Sequence, residues 1–179
     1  MRAFVALEVE PAEPSGGPHR APEHLTLDFL GEIDPAQVPA IAAALERVGA
    51  AIAPFDLTLE GIGAFPSPTH PRVVWVGATL GRSEVLDLAR RIVEALAPLG
   101  LVPAREAFEP HLTLFRVRSG FDRRRAAELF DGHAPPPAPR RLAIDRFVLK
   151  ESVLDARGAT HRILATVRLR GPTSGSESP

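Results

Sequence analysis

The chain has 179 residues, 45% of them hydrophobic, with a formal net charge of −1 and no cysteine. That length accommodates one domain or two small lobes sharing a cleft. The charge excludes a globally basic duplex-binding surface, and the missing cysteines exclude disulfides, thiol nucleophiles and thiolate metal sites together. The N-terminus reaches an acid, Glu8, too early for a signal peptide, and no run of about 18 apolar residues could span a bilayer. A cytoplasmic protein with no membrane partner, and a monomer, is the expectation.

In chain order, residues 2–9 alternate apolar side chains as a strand does, and residues 10–22 carry too many prolines and glycines to be anything but loop. A second strand covers 24–30 and ends at Gly31. Asp34-Pro35 opens a helix, with Asp34 as cap and Pro35 at the first helical position. Its apolar residues Val38, Ile41, Ala42, Leu45 and Val48 recur at helical spacing before Gly49. Residues 55–60 and 72–79 read as a strand pair, joined by a link holding Gly61, Gly63, Pro66, Pro68 and Pro71 that is too broken to be regular. A second helix spans about 83–97. A strand at 111–118, a short helix at 122–130, a Pro/Ala loop at 134–139 and two strands at 142–149 and 161–169, paired as a hairpin, complete the set. The tail from Gly171 has nothing apolar to bury and is expected to be disordered, which leaves 1–170 as one bilobal domain. Strands that occur in pairs beside single helices indicate an α+β fold with antiparallel pairing.

One internal repeat stands out. His24-Leu25-Thr26-Leu27 recurs as His111-Leu112-Thr113-Leu114, about half a chain length away. On a strand the leucines share one face while histidine and threonine share the other. The leucines suit a core; a paired histidine and threonine do not. Two such faces packed around a pseudo-two-fold axis would bring four polar side chains together. Two imidazoles titrating near neutrality can divide the roles of proton acceptor and proton donor. Threonine hydroxyls can donate to the non-bridging oxygens of a phosphate. Two histidines without a third ligand do not make a zinc site, so no metal and no cofactor are expected.

These stretches resemble the two-histidine (2H) phosphoesterase superfamily, and within it the bacterial RNA 2′,3′-cyclic phosphodiesterases, also called 2′-5′ RNA ligases. The similarity runs through Arg2–Leu7, Glu23–Glu32, Gly61–Pro68, Val73–Gly77 and Pro110–Arg116. It implies a bilobal fold, two antiparallel sheets flanking a central cleft with helices outside. It implies His24 and His111 as catalytic residues, with Thr26, Thr113 and Arg116 binding phosphate and Phe4 as a candidate for stacking on a base. The implied activity is hydrolysis of a terminal 2′,3′-cyclic phosphate on RNA to a 2′-phosphomonoester, with His111 as base and His24 as acid, alongside a reversible 2′-5′ RNA ligase activity. A phosphodiesterase for small cyclic nucleotides or 2′-5′ oligonucleotides, and a non-catalytic binder of phosphate-ended RNA, are the alternatives. The family's helix between the first strand and the first His-x-Thr cannot form from residues 10–22, which predicts a thinner N-terminal lobe.

The remaining candidates have plainer readings. His19, His70, His133 and His161 lie in or beside loops and read as surface residues. Arg123-Arg124-Arg125 and Arg140-Arg141 read as solvated faces, and Trp75, between Val74 and Val76, reads as core.

Overall fold

The computed structural model describes residues 1–9, 24–102, 108–155 and 158–172. The expectations for 10–22, for His19 and for all but the first two residues of the tail fall outside that range. Among the described residues, eight strands form two four-stranded sheets. Strands β1 (Arg2–Glu8), β2 (His24–Glu32), β7 (Arg146–Asp155) and β8 (Gly158–Arg168) make one, in the order β2-β1-β7-β8. Strands β3 (Phe55–Phe65), β4 (Val73–Ala78), β5 (His111–Arg116) and β6 (Arg140–Ile144) make the other, in the order β5-β4-β3-β6. Every neighbouring pair is antiparallel. The expected α+β class and two-sheet architecture therefore hold.

The helices packed on these sheets are α1 (Val38–Ala51), α2 (Arg82–Leu96) and α3 (Gly120–Phe130). Asp34 caps a single 3₁₀ turn that runs into α1; its carboxylate accepts from the Ala36 N–H at 2.9 Å and its own N–H donates to Gln37 Oε1 at 3.2 Å. Helices α1 and α2 touch each other, α1 lies against β8 and α2 against β2. One continuous core joins them to both sheets through Val5, Leu7, Leu25, Ile41, Leu45, Leu59, Leu88, Ile92, Leu112 and Leu149. Helix α3 covers a smaller cluster of Val74, Phe115 and Ala126.

Several boundaries differ from expectation, three of them in ways that change the sheets. Strand β2 continues through Gly31, which pairs with Ala3. Strand β3 runs through the glycines assigned to the link: Gly61, at φ +77°, accommodates a bulge between Glu60 and Ile62, after which pairing with β4 resumes at Ile62 opposite Val76. The segment taken as one strand at 142–149 is two, because Asp145 separates β6, which pairs with β3, from β7, which pairs with β1 and β8. Only β7 makes the expected hairpin with β8.

Candidate active site

The two histidine strands are the edges of their sheets, and β2 and β5 contact each other. Alternation does what the repeat predicts. Leu25 is fully buried and Leu27 and Leu112 nearly so, while His24, Thr26, His111 and Thr113 are half-buried on the opposite, cleft-facing side. Thr26 lies opposite Ala6, and Thr113 opposite Trp75.

Each strand carries a bulge just past its threonine. On β2 the pairing moves from Ala6–Thr26 to Val5–Asp28, skipping Leu27. On β5 it moves from Trp75–Thr113 to Val74–Phe115, skipping Leu114. An uninterrupted strand would put the fifth residue after each histidine on the core side. The extra residue restores it to the cleft side, so that Phe29 pairs with Phe4 and Arg116 with Val73. Arg116 is thus brought to the histidine face, while its counterpart in the other half is Phe29, 48% exposed, which sequence reasoning passed over.

His24 sits in a cluster of rings. Its centroid is 5.0 Å from Phe4 and 5.0 Å from His161, and those two are themselves 5.0 Å apart. His161 lies on β8 and, though exposed, packs edge-on against the His24 ring, a placement its loop-side position did not suggest. Phe4 is only 3% exposed and is enclosed by His24, His161 and Phe29. It supports the histidine and has no open face for a base. Nearby, Lys150 is 8% exposed and pairs with Glu8 at 3.0 Å. Burial first, then the charges of His161 and Lys150, lower the His24 pKa from 6.5 to about 4. His161 is itself shifted down, by burial and then by Lys150.

His111 is held differently. Its Nδ1 lies 2.6 Å from the carbonyl oxygen of Glu109, which can only accept, so Nδ1 carries the hydrogen and Nε2 is the nitrogen that exchanges a proton. Glu109 is anchored to Arg82 of α2 at 2.8 Å. The Phe65 ring meets His111 edge-on at 4.9 Å, and Trp75 lies 5.9 Å away. Trp75 is therefore not a core residue. It lies half-buried across Gly63, where a Cβ would come within 2.2 Å of the indole. That glycine is the sequence signal for the packing. The other singled-out residues stay apart: Arg125 lies over Phe115 on the α3 side of β5 at 4.3 Å, and His70 faces Thr69 in the 66–72 link. Among the described residues no three His, Cys, Asp or Glu side chains converge as a metal site would need, and no helix is long and apolar enough to cross a membrane.

Two imidazoles from abutting edge strands, each with a threonine two residues on, can pass protons on opposite sides of a phosphate. Residues 6–155 match the profile of the 2′-5′ RNA ligase superfamily. The chain belongs to that superfamily. Relatives in it include the RNA 2′,3′-cyclic phosphodiesterase of Archaeoglobus fulgidus, 32% identical over 92% of this chain and 98% of that protein. The protein of the same name from Aeropyrum pernix is 30% identical over 81% of each. The one from Aquifex aeolicus is 35% identical, over 59% of this chain and 56% of that protein. Among solved structures, a protein of Thermus thermophilus superposes with a TM-score of 0.73 at 27% identity, covering 97% of this chain and all of the other. Escherichia coli LigT in its complex with NADP+ superposes at 0.66 and 26%, covering 94% and 98%. The two-sheet fold is thus that of the superfamily's known structures.

Proposed function

We propose that this chain hydrolyses terminal 2′,3′-cyclic phosphates on RNA, with His24 and His111 as the acid–base pair. The observation that carries the reading is the paired His-x-Thr on two abutting edge strands, in a superfamily whose relatives bear the name RNA 2′,3′-cyclic phosphodiesterase. One imidazole takes a proton from the attacking water as its oxygen bonds to phosphorus; the other gives a proton to the ribose oxygen that leaves. Cleavage of the bond to O3′ leaves the phosphate on O2′. Thr26, Thr113 and Arg116 hold the non-bridging oxygens. On the sheet of His24 the exposed ring available to a nucleobase is Phe29.

The Glu109 carbonyl on Nδ1 of His111 presents Nε2 as the nitrogen that exchanges a proton, in keeping with the base role the resemblance gives His111 and the acid role it gives His24. The test is incubation of an oligoribonucleotide carrying a 2′,3′-cyclic end, with the position of the product phosphate identified. A 2′-phosphate is expected. Binding without turnover, or turnover of small cyclic nucleotides or 2′-5′ oligonucleotides with the RNA end left intact, would replace this reading.

A further inference from the structure

The two catalytic histidines are steadied by different means, and the difference points to a third histidine. His111 has a backbone carbonyl on Nδ1 and the Phe65 ring packed edge-on against it. His24 is held by rings: Phe4 from the neighbouring strand of its sheet and His161 from β8, the far edge strand. We propose that His161 is a positioning residue for His24, closing the third side of a Phe4–His24–His161 ring cluster beside the imidazole that meets the phosphate. This rests on the phosphoesterase reading above and extends it.

Simple covering does not account for the choice of residue. A phenylalanine would fill the same position edge-on at the same spacing and would bury more apolar area on an exposed strand. A histidine adds a titratable charge. The groups facing His24 from each strand of its sheet are Glu8 on β1, Lys150 on β7 and His161 on β8. Glu8 is engaged by Lys150 at 3.0 Å, so the pair sits together next to the imidazole, and His161 supplies a second cationic centre when protonated. Both lower the tendency of His24 to take a proton before substrate arrives.

The test uses the whole chain, with the His24 Hε1 resonance followed by NMR through pH 3.5–8, in wild type and in His161→Phe and His161→Gln. Phenylalanine keeps the ring packing and removes the charge; glutamine removes both. In both variants the His24 midpoint is expected to rise by about half a unit or more, the size of a like-charge term at this separation in a solvated site. In wild type, ring-to-ring nuclear Overhauser effects between His161 and both Phe4 and His24 are expected. His161→Phe, which keeps the ring, should retain kcat, while His161→Gln should lose kcat from the unpacked ring with KM less affected. An unmoved His24 midpoint in both variants, or wild-type spectra without the His161 contacts, overturns the proposal. Because the NMR titration needs no turnover, that failure is distinct from a failure of the phosphoesterase reading, which would appear as inactivity on cyclic-phosphate RNA with the titration shift intact.

Discussion

Acid should weaken this fold in good part through one residue. Folding moves His24 from the ordinary histidine value of 6.5 to about 4. Between those two pH values the unfolded chain binds a proton at this position that the folded chain refuses, so stability falls as pH falls. The contribution is complete above about pH 6.5, is lost progressively on the way down to about pH 4, and changes no further below that. A gap of about two and a half units corresponds to about 3 kcal/mol, a large part of the roughly 5–15 kcal/mol that holds a domain together. The comparison is wild type against His24→Gln, which keeps a polar side chain and does not titrate, by urea denaturation at pH 7.5 and pH 4. With an m-value of about 1–3 kcal/mol/M, the wild-type midpoint should drop by about 1–3 M more than that of the variant. His161, also shifted down, adds acid sensitivity to both proteins, and Asp28, shifted up by burial, opposes it in both. The difference between the two proteins therefore isolates His24. Midpoints that fall in parallel would refute the buried, cation-flanked state of this imidazole.

Replacing either catalytic histidine by alanine should lower turnover by about two to four orders of magnitude, measured on cyclic-ended RNA. Gly63→Ala drives a methyl into the Trp75 indole and so disturbs the packing beside His111; because the half-buried ring can swing into the cleft, kcat/KM should fall more than thermal stability does. Gly49→Ala is the converse. Its Cβ would lie 2.5 Å from the Arg168 carbonyl oxygen and from Val167, so α1 must back away from β8, and the loss of about 1–3 kcal/mol should outweigh the usual helical gain of alanine over glycine while the kcat of the folded fraction holds. Arg82→Gln releases Glu109 and should reduce kcat through His111 with little change in the melting temperature, since the ion pair is exposed. Exhaustive chelation should leave activity unchanged; loss with EDTA and recovery with one divalent ion would contradict the two-histidine chemistry.

The site was legible where it follows strand alternation. Once His24 and His111 were placed on strands, the buried leucines and the shared face of histidine and threonine followed from a period of two. Arg116 was legible only by resemblance, since counting by twos from His111 puts it on the wrong face; the bulge at Leu114 that corrects the count has no composition of its own. Phe29 was missed for the same reason. Trp75 misled because alternating with two valines is equally consistent with either face, and only two glycines, Gly63 across from it and Gly77 two residues on along β4, record that a large ring needs room there. His161 was out of reach: its partner lies on the opposite edge of a four-stranded sheet, and nothing local in Ala159-Thr160-His161-Arg162 states which rings will meet it. The fold class followed from element pairing. The break at Asp145 did not, because one charged pair, Asp145-Arg146, between two apolar stretches does not state that the strands on either side join different sheets.

The two halves of the site also differ in when they can exist. The sheet bearing His111 draws all its strands from one continuous stretch, Phe55 to Ile144. The sheet bearing His24 joins the first strands of the chain to the last, with β1 seated directly on β7. On a ribosome making the chain from its N-terminus, β2 emerges early but has only β1 beside it until the β7–β8 hairpin clears the exit tunnel. His24 then waits without Lys150 and without His161 while the other half is already complete. Chemistry that needs both histidines in their final setting is thereby withheld until Gly158–Arg168 has been made and paired with β7.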